Sequence, residues 1–205
     1  MPRACLALLL TLVLGPAAAT PAENVTLPDI NTDEGLLARL FIAESRNPGQ
    51  ASYDADEVAK GMRAMKAVVD NRLKNNPGQF GAPGATTYVD IVGAAGQFHG
   101  FSKDAGGHIV IATDVQARID KVLSVANTGA PGKYAAFVTK CNEVAKAAVD
   151  DPFQGLTAIG TTPVLGGGFG WRTAGSSAPG GSFVAIPAAQ GGVIAGNQFY
   201  TIKKP

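Results

Sequence analysis

The stretch Asn31–Gly49, NTDEGLLARLFIAESRNPG, decides the fold. Asn31 followed three residues later by Glu34 is the pattern of a helix start, each side chain able to satisfy a backbone N–H that the first turn leaves open. Leu36, Leu37, Leu40 and Phe41 then recur at helical spacing and form an apolar stripe. Glu44 lies four residues after Leu40 and seven after Leu37, so at 3.6 residues per turn it falls on that same stripe. A carboxylate on the face that a helix turns to its core is expected to point inward and lose hydration.

Working outward, Asp56–Lys74 carries Val58, Met62, Met65, Val69 and Leu73 at helical spacing and stops at Asn75-Asn76-Pro77-Gly78. Thr87–Ala94 reads as a short helix, followed by a loop from Gly96 to Ser102. Thr113–Ala126 and Lys133–Val149 are two further amphipathic helices, and Cys141 falls on the apolar face of the second. Beyond Asp151-Pro152 the composition changes to glycine, proline, serine and threonine. Short runs such as Phe183–Ile186 and Asn197–Ile202 read there as small strands. The expected class is α+β, mainly helical, with a small Gly-rich β-containing C-terminal region. Gly166-Gly167-Gly168 is not read as a phosphate loop, because no Lys-Ser/Thr follows it.

The first residues have a different character. Arg3 is the only early charge, Leu6–Leu14 is mostly apolar, and Ala17-Ala18-Ala19 supplies small residues at an exit. Residues 1–19 are expected to be a secretory signal peptide, cut after Ala19 or after Ala22, with residues 20–30 as a lead-in and 31–205 as one domain. The apolar run is too short to span a bilayer, so no membrane anchor is expected. Cys5 would leave with the signal and Cys141 would remain the single thiol, which excludes an intrachain disulfide. His99 and His108 have no Cys or His partners at metal spacing, so no zinc site is expected. A formal net charge of +1 gives no pull toward nucleic acid.

A buried carboxyl favours its neutral form, which raises its pKa toward the range where it can protonate a leaving oxygen at neutral pH. Glycoside hydrolysis commonly uses a second carboxylate, whereas displacement by the sugar's own hydroxyl needs only one acid/base. The plainer alternative is an ion pair of Glu44 with Arg46 or Arg72.

Glu44-Ser45 followed by Asn47-Pro48 is similar to the E-S-x-x-N-P signature of soluble lytic transglycosylases, with one residue fewer. A longer series resembles the cell-wall hydrolase family that includes the spore-cortex-lytic SleB-type enzymes. It comprises Gly61, Ala67-Val68-Val69-Asp70-Asn71-Arg72, Gly96-Gln97-Phe98 and Gly196-Asn197-Gln198-Phe199-Tyr200, in the family's order and together with the early Glu. The pieces span Leu36 to Tyr200. After its glutamate the family usually has a small residue, Arg or Ser, and Gly-Glu, where this chain has Ser45-Arg46-Asn47-Pro48.

The resemblance implies a lysozyme-like domain that cleaves peptidoglycan glycan strands between N-acetylmuramic acid and N-acetylglucosamine, as a lytic transglycosylase or a muramidase, with no metal or organic cofactor. Glu44 would be its general acid/base. Ser45, Gln97, Phe98 and Tyr200 are expected at the substrate, with Asn71 and Arg72 bracing the site. Asp54, Asp56 and Glu57 are read as acids at a helix start, with a second catalytic role as the alternative. His99 adjoins the Gln97 loop and is kept in view. The expected setting is the periplasm or the exterior, as a monomer acting on its own wall or as an antibacterial toxin with an immunity or inhibitor protein. The competing readings are a non-catalytic peptidoglycan-binding or structural periplasmic protein, and an amidase or peptidase.

Overall fold

The computed structural model describes residues 24–128 and 132–205. The signal peptide expected in residues 1–19, and either cut site, lie outside the described residues. From residue 24 the lead-in is tied down: Asn127 bonds both the N–H and the carbonyl of Val25, and Asn142 donates to the carbonyl of Thr26.

Helix α1, Asp33–Glu44, is the axis of the molecule. Its N-cap is Thr32, one residue later than the pattern suggested. The Thr32 hydroxyl accepts from the N–H of Gly35, while the Asn31 side chain accepts from the N–H of Ile109. Leu36–Ala43 are buried apart from Arg39, so α1 is covered on all sides and not along one stripe only. A helix that is apolar almost all round is stable only when other elements enclose it. Arg39 reaches out of this shell, and one guanidinium nitrogen donates to the carbonyls of Pro28 and Gly35. Gly35 is required by the approach of the lead-in, since a Cβ there would lie 1.9 Å from the carbonyl oxygen of Asp29.

The enclosing helices are α2 (Ala55–Lys74), α3 (Tyr88–Val92), α4 (Thr113–Asn127) and α5 (Lys133–Lys146). Asp54 caps α2 by accepting from the N–H groups of Asp56 and Glu57, and Thr87 with Asp90 forms a reciprocal capping box on α3. Cys141 lies in the core as expected, and burial pushes its thiol well above the usual range.

Helix α5 stops three residues short of the expected Val149, and Lys66 of α2 supplies the reason. Its Nζ, on a residue that is 5% exposed, donates to the carbonyls of Ala145 (2.8 Å) and Ala147 (2.6 Å). A cation at the negative end of a helix satisfies acceptors that another helical turn would have used. Burial holds the Lys66 pKa below its ordinary value, with Asp70 the leading opposing influence. Lys66→Met keeps the stem and deletes the donor, and is expected to lower the unfolding free energy by about 2 kcal/mol. Urea unfolding of the two proteins measures it.

Two features were not evident in the sequence. Strands β1 (Phe101–Lys103) and β2 (Ile109–Ile111) form an antiparallel hairpin beginning where the loop was expected to continue. In the Gly-rich third, β3 (Ala158–Ile159) pairs with β4 (Thr162–Pro163). There too β5 (Gly170–Thr173), β6 (Phe183–Ala185) and β7 (Val193–Ile194) each pair antiparallel with β8 (Asn197–Ile202). The strands expected at Phe183 and Asn197 are present. The class is α+β and mainly helical, with one principal buried cluster running from α1 to β8.

Candidate functional site

Glu44 is the last residue of α1 and opens into a cleft of about 700 Å³. Gln97 and Phe98 line the cleft from one side, Trp171 from β5, and Arg72 from the end of α2. The β1–β2 hairpin closes another wall through Ser102 and Val110. The sequence therefore brought Glu44, Arg72, Gln97 and Phe98 to one place.

Burial raises the Glu44 pKa above its ordinary carboxylate value, and three weaker influences oppose it: a hydrogen bond from Trp171, then the charges of Arg118 and His99. Position at a helix C-terminus also disfavours negative charge. Trp171 Nε1 donates to Glu44 Oε2 at 3.2 Å, leaving the other oxygen directed by no side-chain partner among the described residues. Neither Arg46 nor Arg72 pairs with the glutamate. Among the described residues no basic nitrogen lies within ion-pair distance of it. Arg46 instead lies against Gly196, and Arg72 is occupied elsewhere.

Arg72 is 6% exposed, and its guanidinium is set between two rings, 5.1 Å from the Phe80 centroid and 4.9 Å from that of Phe98. Its Nε donates to the carbonyl of Phe169 (2.7 Å) and another nitrogen to Gln97 Oε1 (3.2 Å). Burial pushes its pKa down to about 10, so it remains a cation at neutral pH. Asn71 donates to Asp151 and to the carbonyl of Gly168, and Asp151 also accepts from the N–H of Gly168. These two neighbours in α2 thus hold the segment that leads into β5, and with it Trp171. Gly167 fits this clamp because it has no side chain. Its φ is +117°, and a Cβ would lie 2.7 Å from both Asn71 Nδ2 and Asp151 Oδ2. The triple glycine is a site of close packing.

Two expected substrate contacts are not at the cleft. Ser45 is buried beneath the end of α1, away from the cleft lining, where its N–H caps the helix by donating to Phe41. Its hydroxyl oxygen has no partner among the described residues. Tyr200 is 2% exposed on β8, the strand between β5 and β6, whose faces are both largely buried. Asp54, Asp56 and Glu57 also lie outside the cleft: Asp54 caps α2 and Glu57 pairs with Lys60. His99 stands on the rim with its side chain 82% exposed and Nε2 3.6 Å from Asp114 Oδ2.

Trp171 is the functional side chain that sequence reasoning missed. It is the only tryptophan in the chain, and it stands in a Gly-rich segment where it packs on Phe98 (ring centroids 5.3 Å apart) and faces Phe199 (6.5 Å). The only tryptophan in the sequence, set among glycines, was the available signal. Trp171→Phe removes a donor that favours the carboxylate, so the Glu44 pKa is expected to rise further above its ordinary value. Titration of the Glu44 carboxyl by carbon NMR in both proteins checks the direction.

Among the described residues no three His, Cys, Asp or Glu side chains come together as a metal site, and no helix is long and apolar enough to cross a membrane. No protein-family model, curated protein or solved structure matches this chain.

Proposed function

We propose that the protein cleaves the glycan strands of peptidoglycan between N-acetylmuramic acid and N-acetylglucosamine, with Glu44 as the single acid/base. One observation carries this reading: among the described residues Glu44 is the only carboxylate that lines the cleft and has no cationic partner at contact distance, and burial raises its pKa. A glutamate in a groove whose burial favours the neutral, protonated form has the tendency that protonation of a glycosidic oxygen requires. The ordered resemblance from Glu44 through Asn71-Arg72 and Gly96-Gln97-Phe98 to the SleB-type cell-wall hydrolases supports the same substrate.

In the first step the Glu44 carboxyl gives its proton to the bridging oxygen as the bond from that oxygen to C1 of the muramyl sugar breaks, and the N-acetylglucosamine leaves as an alcohol. Positive charge develops at C1 and the ring oxygen. The Glu44 carboxylate then takes the proton from the muramyl 6-hydroxyl while its oxygen bonds to C1, giving a 1,6-anhydro end and returning Glu44 to its acid form. Water in place of that hydroxyl would give a reducing end. Among the described residues no second carboxylate lines the cleft, which favours the internal hydroxyl, since it needs no separate residue to position it. Trp171 offers apolar ring surface to the sugar, with the buried Phe98 packed behind it, and Gln97, held by Arg72, offers an amide N–H₂ to an acetamido oxygen. Export directed by residues 1–19 would bring the enzyme to its substrate.

Mass spectrometry of muropeptides released from purified sacculi tests the reading. Anhydro-muramyl ends are the expected product. Reducing ends would make the protein a hydrolytic muramidase, and no release beside a working control enzyme would sink the catalytic reading in favour of a binding or structural role.

A further inference from the structure

A second depression, of about 470 Å³, adjoins the Glu44 cleft along α4. Asn47, Gln50, Arg118, Lys121 and Tyr134 line it, with Asp114 as its carboxylate. Arg118 connects it to the catalytic end of α1, because its guanidinium donates to the carbonyl of Ala43, the residue before Glu44. Asp114 marks the other connection, with Oδ2 3.6 Å from Nε2 of His99 on the rim of the cleft.

The depression is rich in hydrogen-bond donors that the protein leaves open. Among the described residues Lys121 and Arg118 have no carboxylate partner. The Asn47 side-chain oxygen accepts from Gly49 and Tyr134, and the Gln50 oxygen accepts from the N–H of Asn47. Both amide oxygens are therefore engaged, and both N–H₂ groups remain available. Two cations and two amide donors around one concavity suit an acceptor with negative charge, and a carboxylate has that chemistry.

We propose that this depression is a subsite for the carboxylates of the peptide stem carried by the muramyl sugar. The inference rests on the activity proposed above. The bond cleaved is at C1 of a muramyl residue, and the stem hangs from the lactyl group on O3 of that same ring. A sugar placed with C1 at Glu44 must send its stem to a neighbouring part of the surface within one sugar's length. The donor-lined depression joined to Glu44 through Arg118 is such a neighbour, and Lys121 is a charge in it that has no ion-pair partner among the described residues.

Binding is the readout that separates this proposal from cleavage. The Glu44→Gln protein, which holds substrate without turnover, is titrated with soluble glycan strands bearing tetrapeptide stems and with the same strands after an amidase has removed the stems. Stemmed strands are expected to bind about tenfold more tightly, as loss of a charged contact of this kind changes affinity by that order. Adding Lys121→Gln should erase the preference and leave affinity for bare strands unchanged, since Lys121 is exposed and remote from the fold's core. Equal affinity for the two strands, no binding of either, or a preference that survives Lys121→Gln would overturn the subsite. A preference abolished by Lys121→Gln in a protein whose wild type cleaves nothing would keep the subsite and remove the catalytic reading.

Discussion

Glu44→Gln is expected to lower muropeptide release from sacculi by about a thousandfold while making the protein more stable at neutral pH. The rate effect follows from chemistry, because the amide has no proton to give at these pH values and no charge with which to take one back. The amide oxygen can still accept from Trp171 Nε1, so the local packing survives. The stability effect follows from linkage. Burial raises the native Glu44 pKa above its ordinary 4.5, so between those two values the native state keeps a proton that the unfolded chain has released. Stability therefore falls as pH rises through that window, and the whole loss is present above the native pKa. Glutamine has nothing to ionise and escapes it. The variant's melting temperature should exceed the wild type's at about pH 8, and the two should converge near about pH 4, below both pKa values. Thermal scans at the two pH values decide the matter: a variant less stable than the wild type at the higher pH would mean that Glu44 is held by interactions that favour its charge.

The frame of the site was legible because it rests on helices, and helical spacing survives in a single sequence. Leu37, Leu40 and Glu44 share a face whatever surrounds them, and Asn71-Arg72 follow from the end of α2. What the spacing could not convey was coverage. α1 was read as having one buried stripe, yet the lead-in, α2, α3, α4 and α5 enclose it completely. The β elements were harder to read for a different reason. β1, β2 and β5 have three or four residues each, too few for alternation to stand out from loop composition. Trp171 was lost with β5. Tyr200 was misplaced because what covers a strand's faces is invisible in its own residues: β8 is buried on both faces, so Tyr200 is packed inside. Ser45 was misplaced because the chain leaves the helix there: Ser45 is an extended C-cap residue, φ −91° and ψ 154°, and is buried. Glu44 faces the cleft and Ser45 does not.

Arg72→Ala is the substitution expected to cost most in stability, about 3 kcal/mol or more. Deleting the guanidinium leaves the buried carbonyl of Phe169 and the part-buried oxygen of Gln97 without their donor, and opens a void between Phe80 and Phe98. Each lost charged hydrogen bond is worth about 1.5–3 kcal/mol, and the removal of a buried charge offsets part of that sum. The downward shift of the Arg72 pKa to about 10 is the mark of that offset. Arg72→Met separates the contributions, because it fills the space between the rings without donors and should lose roughly half as much as alanine. Lysine should not rescue: its ammonium cannot lie flat between two rings while reaching both acceptors. Activity should fall in all three, because Arg72 holds the Gln97 side chain and, through Phe169, the strand that carries Trp171. As the only tryptophan in the chain, Trp171 reports that loosening directly. Its fluorescence should shift to longer wavelength in native Arg72→Ala before any denaturant is added. Urea curves give the energies, and a loss below about 1 kcal/mol with an unmoved Trp171 spectrum would mean that Asn71 and Asp151 hold the cleft without Arg72.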